Sequence, residues 1–120
     1  MAFKRADRVN ALLQRELAQL ISEELTDPRI RFATVTSVEV TPDLKTARVH
    51  VSALGDEAHQ AATMAALESA RQKIRHEIGR RTELRYVPSL VFVADRSAAR
   101  AARISALLRE SRAAGEEVDG

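Results

Sequence analysis

Basic side chains are the residues of this chain best suited to chemistry. The stretch from Ala70 to Phe92 sets six of them against two acidic residues, and the six are Arg71, Lys73, Arg75, Arg80, Arg81 and Arg85. Two are adjacent, directly after Gly79, where the pattern predicts that a helix ends and a strand approaches. Positive charge on a rigid helix end can bind the backbone of a polyanion. The sequence therefore predicts nucleic-acid binding at this junction.

The charge is also segregated along the chain. Residues 61–112 carry eleven Lys and Arg against five Asp and Glu, although the net charge of the whole chain is only +2. The alternative interpretation is a solvated helix face, which is common for such runs. The concentration of bases in the second half favours nucleic acid over that alternative.

The sequence contains little that indicates a catalytic or metal-binding site. His50, His59 and His76 are spread over the chain, and none has a partner at metal-ligand spacing. No phosphate-cradling glycine loop and no nucleophile-elbow sequence occurs. Cysteine is absent, so thiolate sites and disulfides are excluded. We expect no catalytic residue, no metal and no bound cofactor.

Only four residues are aromatic. Tyr86 and Phe92 share one strand parity with Leu84 and Leu90, so both are predicted to lie in the core. An exposed aromatic platform for bases is therefore not expected. Recognition should depend on phosphates, sugars and RNA shape.

The first half predicts a helix and a hairpin. Leucines and other apolar residues recur at three- and four-residue steps over Asp7–Leu25, which Pro28 helps to end. Strands follow at Phe32–Val40 and Lys45–Ala53, joined by turn chemistry at Thr41–Leu44.

The second half predicts a long helix, a strand and a short helix. The helix begins at the N-cap Asp56 and runs to Ile78; the pattern does not decide between one helix and a bent pair. A strand follows at Leu84–Ala94, with Pro88 at an edge, bulge or start. The last helix, Ser97–Arg109, is expected to dock through its apolar side chains, Ile104, Leu107 and Leu108.

The length and composition fit one globular domain over residues 1–109, with a disordered tail at 110–120. The element order indicates an α+β fold with a small sheet covered on one face by helices. The start of the chain lacks the apolar segment of a signal peptide, and no apolar run could span a bilayer. A cytoplasmic location is the default expectation.

An ordered series of short motifs resembles the ribosome-binding factor A family of bacterial small-subunit assembly factors. Each piece is modest alone, but the set covers residues 5 to 109 in order. The motifs are Arg5, Arg8-Val9, Asp27-Pro28-Arg29, Val38-Glu39-Val40-Thr41, Asp43-Leu44, Ala47, Val49, Val51, Ile74-Arg75, Gly79, Leu84-Arg85, Val87-Pro88, Leu90, Phe92, Asp95, Ser97, Ile104 and Leu107-Leu108.

The resemblance implies a type II KH-like domain with the order α-β-β-α-α-β, a three-stranded sheet and a short C-terminal helix. In this family an Ala-x-Gly kink between the paired helices replaces the Gly-x-x-Gly clamp. Here Ala70, Arg71 and Gln72 occupy that place, so the glycine is missing and glutamine favours a continuous helix. Basic side chains must then hold the RNA.

The resemblance also implies a function. Such a protein binds the free, immature 30S subunit near the future decoding site, supports late maturation and 16S rRNA processing, and leaves before translation. It is a non-catalytic monomer, while nucleases and assembly GTPases perform the covalent and energy-coupled steps. Alternatives are a translation-regulating RNA-binding protein, a structural ribosomal component, an RNA-processing enzyme and a DNA-binding module.

The predicted RNA-binding set joins the first helix to the basic stretch. It comprises Lys4, Arg5, Arg8, Arg71, Lys73, Arg75, Arg80, Arg81 and Arg85. Two alternatives stay open within it: Lys73 as a solvated residue and Arg85 as a salt-bridge partner inside the fold.

Overall fold

The apolar stripe of the first helix forms one wall of the core in the computed structural model, which describes residues 5–30 and 33–119. Helix α1 spans Arg5–Gln19 and buries Val9, Leu13 and Leu17. It continues as a π-helical turn, Leu20–Glu24, closed by a bond from Leu25 N–H to Leu20 O. The helical region thus agrees with the predicted one to within two residues at its N-terminus.

The predicted hairpin is confirmed. Strand β1, Ala33–Val40, pairs antiparallel with β2, Thr46–Ala53. Ala47, Val49 and Val51 of β2 are buried, which is the predicted alternation. The predicted first residue of β1, Phe32, lies outside the described residues.

A bulge changes the parity of β1. The register shifts between Val35 and Ser37, so Ala33 and Val35 are buried before the shift and Val38 after it. The extra residue, Thr36, leaves the regular ladder, as bulged residues do. Its hydroxyl donates to Asp95 beyond the end of β3.

Helix α2 is a single helix, Glu57–Arg81. Asp56 caps it by accepting a bond of 2.9 Å from His59 N–H, as predicted. The helix is uninterrupted across Ala70–Gln72, so the split pair implied by the resemblance is corrected to one helix. It also extends beyond the predicted end, because Thr82 caps Ile78 O with both its N–H and its hydroxyl.

Strand β3 is shorter than predicted. It spans Ser89–Ala94 and pairs parallel with β2, giving the sheet order β1-β2-β3. Pro88 precedes the first strand residue, where a missing N–H costs no ladder bond. The predicted strand residues 84–88 form an irregular segment instead.

The core lies between the sheet and the helices. Leu13, Leu67, Ile74 and Ile78 are fully buried against the inner faces of the strands. Burying each such side chain stabilises the fold by about 1.5–3 kcal/mol. The predicted α+β architecture is therefore confirmed, with β2 as the central strand.

Helix α3 differs most from its prediction. It spans Ser97–Asp119, beyond the expected end at Arg109. It packs little against the other elements and projects from the sheet. Ile104, Leu107 and Leu108 are each more than half exposed, so the predicted docking is wrong. The radius of gyration of 18.4 Å exceeds the roughly 14 Å expected for this length, in keeping with a projecting helix. Disorder of 110–120 in solution stays a prediction.

Across the described ranges, no helix has both the length and the apolar character needed to cross a membrane.

Candidate nucleic-acid interface

Two grooves meet at the junction between α2 and β3. The first, about 530 Å³, is lined by Arg75, His76 and Arg80 of α2. The second, about 710 Å³, is lined by Arg5 of α1 and Lys45 of the hairpin. Arg85 and Tyr86 line both grooves, so they form the wall between them. We call Arg5, Lys45, Arg80, Arg85 and Tyr86 the α2–β3 surface.

The segment after α2 positions this wall. The chain turns at Thr82 and then passes close along the last turn of the helix toward β3. A Cβ built at Gly79 would lie 3.4 Å from Val87 Cγ2, which is ordinary contact with little space to spare. Segment 82–88 therefore lies in van der Waals range of α2 at Gly79, whose own dihedrals are helical and not left-handed.

Arg75 is a structural cation. Its Nε and Nη2 donate to the carbonyl of Val87 at 3.1 and 2.7 Å. Its guanidinium carbon lies 5.7 Å from the centroid of the Tyr86 ring, within the range of a cation–π contact. Arg75 therefore fixes segment 82–88 on α2 and keeps some positive charge at the first groove.

Arg80 is available to a ligand. Its side chain is 68% exposed, and an ion pair joins its Nη1 to Glu77 Oε1 at 3.1 Å across one helical turn. Exposed pairs of this kind contribute about 0–1 kcal/mol. A phosphate could therefore compete for its remaining donors.

Arg81 is neutralised inside the molecule. Its side chain is only 19% exposed, and its Nε lies 3.2 Å from Glu16 Oε2 on α1. Its Nη1 also donates to Glu24 in the π-helical turn. Two carboxylates thus hold it against the first helix, so we leave it out of the surface.

The other predicted basic residues lie outside the two grooves or outside the described residues. Arg71 lies 3.8 Å from Glu68 and lines neither groove. Lys73 and Arg8 are exposed but also lie outside both grooves. Lys4 lies outside the described residues. Of the nine predicted bases, the grooves bring together Arg5, Arg75, Arg80 and Arg85.

Arg85 makes no ion pair within the part of the chain that the structure describes, which removes the alternative of an internal salt bridge there. The second groove contains Asp43 and Glu83 as well. Asp43 is committed to its own turn, because it accepts bonds from the Thr41 hydroxyl and from Lys45 N–H. These bonds hold the pKa of the Asp43 carboxyl below its ordinary value. The first groove has no carboxylate among its lining residues.

Two members of the surface, Tyr86 and Lys45, were not among the residues predicted from the sequence. Tyr86 was expected in the core, but it is 56% exposed, whereas Phe92 is buried as predicted. The cause is that strand alternation begins only at Ser89. Lys45 was missed because the hairpin turn lies far from α2 in the chain. The missed signal for Tyr86 was Pro88, which marks where pairing starts.

We also looked for side chains that the fold groups into a metal site. Over residues 5–30 and 33–119, no three His, Asp or Glu side chains are grouped closely enough to hold an ion.

Comparison with known proteins identifies relatives over almost the whole chain. The family model described as ribosome-binding factor A matches residues 5–108. The ribosome-binding factor A of Nitrosococcus oceani is 46% identical over 118 residues, which cover 98% of this chain and 91% of that protein.

Solved structures agree with this match. The crystal structure of ribosome-binding factor A from Thermus thermophilus has a TM-score of 0.69 and 30% identity, covering 78% of this chain and 100% of that one. A homology model of the Thermus protein, fitted into a cryo-EM map of a 30S complex, has a TM-score of 0.62 and 32% identity. It covers 72% of this chain and 91% of that one. With these matches in sequence and fold, this chain belongs to the ribosome-binding factor A family.

Proposed function

We propose that this protein is a non-catalytic assembly factor that binds the free, immature 30S subunit and assists late maturation and 16S rRNA processing. Its α2–β3 surface would bind rRNA phosphates. The observation that supports this most directly is the wall of Arg85 and Tyr86 between two grooves that together contain Arg5, Lys45 and Arg80. The relative fitted into a 30S complex supports the choice of the small subunit as partner.

The surface suits a folded polyanion. Its four cations come from four separate parts of a packed domain, namely α1, the hairpin turn, α2 and segment 82–88, so the positions of their backbones are fixed before binding. Less side-chain and backbone ordering is then needed on association. Clustered positive charge also speeds encounter with RNA.

The proposed mechanism is a difference in affinity between two RNA states. A protein that binds the immature conformation more tightly than the finished one shifts the population during assembly and dissociates afterwards. No bond needs to be made or broken by this chain. Nucleases and assembly GTPases would supply the covalent and energy-coupled steps.

The primary test is sedimentation of tagged protein from cells with and without stalled subunit assembly. We expect the protein to migrate with free small subunits and to accumulate there when assembly stalls. Migration with polysomes would instead indicate a permanent component or a translation regulator, and would contradict the proposal.

A second test measures the electrostatic part of binding. Neutralising about four to six phosphates predicts that the logarithm of affinity falls with that of salt concentration at a slope of about −3 to −5. Purified free subunits titrated at several salt concentrations give this slope. A flat response would remove phosphate contact as the basis of binding.

A further inference from the structure

Tyr86 is an aromatic residue on the surface of a protein that has few aromatics. It is 56% exposed although it lies in an ordered segment between a buried helix face and β3. Exposing a tyrosine ring costs the burial energy that the ring would otherwise contribute. The exposed ring lies in the middle of the α2–β3 surface, where basic side chains surround it.

One face of the ring is already occupied. The Arg75 guanidinium lies over it, 5.7 Å from the centroid, and two bonds to the Val87 carbonyl keep the guanidinium in place. Tyr86 as a whole is 56% exposed, so ring surface away from the guanidinium is accessible to a flat group. The Tyr86 ring is therefore held on one side before any ligand binds. Little conformational freedom is then lost when a flat group stacks on its accessible side.

Positive charge lies on both sides of the ring. Arg80 borders the groove on one side, and Arg85 lies beside the ring. Arg5 and Lys45 border the groove on the other side, where they accompany the carboxylates of Asp43 and Glu83. A flat group stacked on Tyr86 would thus have cations near whatever precedes and follows it. This combination of an aromatic face and flanking cations matches a nucleotide chain, in which each base is flanked by phosphates.

We infer that Tyr86 stacks one unpaired base of an RNA strand whose flanking phosphates lie in the two grooves. The inference rests on the proposed function and specifies its ligand as an unpaired nucleotide within structured RNA. A base inside a helix has both faces covered by its neighbours, whereas bulges, loops and ends can present a face to a side chain. The surface thereby discriminates between paired and unpaired rRNA, which phosphate contacts alone do not.

The chain offers a direct measurement, because Tyr86 is its one tyrosine and it has no tryptophan. Intrinsic tyrosine fluorescence therefore reports this ring alone. The probes are two RNA hairpins of equal length whose strands are joined by the same non-nucleotide linker in place of loop bases, one fully paired and one with a single bulged adenosine. We expect the bulged hairpin to quench the emission strongly and the paired hairpin to quench it weakly at equal occupancy, measured by anisotropy of end-labelled RNA.

Variants separate stacking from general packing. Tyr86→Phe keeps the aromatic face, so it should bind the bulged hairpin within about twofold of the wild type. Tyr86→Leu keeps an apolar side chain without that face, so affinity for the bulged hairpin should fall about 5- to 100-fold. Its affinity for the paired hairpin should change less than twofold. Leu54→Ala is the matched control, since Leu54 is 69% exposed and lies at the opposite end of the sheet.

The outcomes distinguish this inference from the proposed function. If both hairpins bind but quench equally, or if Tyr86→Leu binds the bulged hairpin as well as Tyr86→Phe does, stacking is wrong and the assembly function stands. If the protein binds neither hairpin nor free small subunits, the proposed function fails first. Quenching by free adenosine monophosphate with none by the bulged hairpin would indicate a mononucleotide site and would also overturn the inference.

Discussion

Arg80 and Arg81 are adjacent in the chain, yet they face different surroundings at the end of α2. Arg80 faces the first groove and is mostly exposed, with one weak pair to Glu77. Arg81 faces α1, where Glu16 and Glu24 neutralise it. Successive helical residues are rotated by about 100°, so neighbours on a helix need not share surroundings. The comparison shows that a run of basic residues overstates the charge available to a partner.

The same division extends one turn back along α2. Its inner side contributes Ile74 and Ile78, which are fully buried. Its outer side contributes Arg75 and His76 to the first groove. The inner side should therefore determine stability, and the outer side should determine binding. Three sets of variants test that distinction, and a fourth tests an internal contact at the opposite end of the sheet.

The largest effect is expected from the inner side. Ile78→Ala removes a fully buried side chain and should lower the free energy of unfolding by about 2–5 kcal/mol, because it leaves a cavity. Urea unfolding followed by circular dichroism measures this. Lys73→Ala on the exposed side of the same helix should change it by less than about 0.5 kcal/mol. A large loss in the lysine variant would contradict the distinction.

Arg81→Ala should also act on stability and leave binding alone. Removing the guanidinium leaves the largely buried Glu16 without its closer counter-charge, because its other ion pair is a 3.7 Å contact with the exposed Arg15, and the loss should cost about 1–3 kcal/mol. A double-mutant cycle with Glu16→Ala isolates the pair. Affinity for free small subunits, measured where the variant is folded, should stay within about twofold. A tenfold loss of affinity would return Arg81 to the α2–β3 surface.

The outer side should show the reverse behaviour. The Arg80→Ala/Arg85→Ala double variant should bind free subunits about tenfold more weakly at low salt, with a salt slope reduced by about 2. Its unfolding midpoint should match that of the wild type. The control is Arg15→Ala/Arg48→Ala, which removes the same charge from exposed positions outside both grooves. Equal losses in the two double variants would mean that net charge alone determines binding.

The smallest effect is expected from the hydrogen bonds that Asp95 accepts at the opposite end of the sheet. Asp95 accepts bonds from Ser97 and the Thr36 hydroxyl, which lower the pKa of its carboxyl to about 2. A carboxyl whose pKa is depressed on folding stabilises the fold above its unfolded pKa and loses that contribution as pH falls. Asp95→Asn should therefore unfold at lower urea than the wild type at pH 6.

The difference between Asp95→Asn and the wild type should narrow as pH falls from about 4 toward 2, where the wild-type carboxyl becomes protonated. Urea midpoints of both proteins at each pH measure this, and other carboxyls cancel in the comparison. A difference that stayed constant over this range would show that the charge of Asp95 is not responsible. RNA binding should not change, because Asp95 lies away from both grooves.

Local patterns in the sequence predicted most of the fold. The apolar stripe of α1, the alternation in β2 and the cap at Asp56 are short-range features that packing left intact. The errors lie where short-range rules compete with tertiary contacts. Thr36 changes the parity of β1, and segment 82–88 follows its contacts with α2 instead of strand geometry.

The candidate site was predicted only in part. Clustered bases placed it at the α2–β3 junction, but counting charges could not show that Arg81 is neutralised by residues 57 and more positions away. Lys45 joins the surface through the hairpin, and Tyr86 through the late start of β3. Both residues join the surface because elements distant in the chain become neighbours, and a short stretch of sequence does not show which elements will do so.

Composition and periodicity by themselves determined the α+β class and the basic second half, because these follow from residue types and their spacing. The family resemblance came separately, from an ordered series of short motifs. Tertiary structure decided which arginines keep their charge at the surface and that a tyrosine is exposed among them. The physical reason is that ion pairing and burial depend on distances between elements far apart in the chain. Those distances exist only after the helices have packed on the sheet.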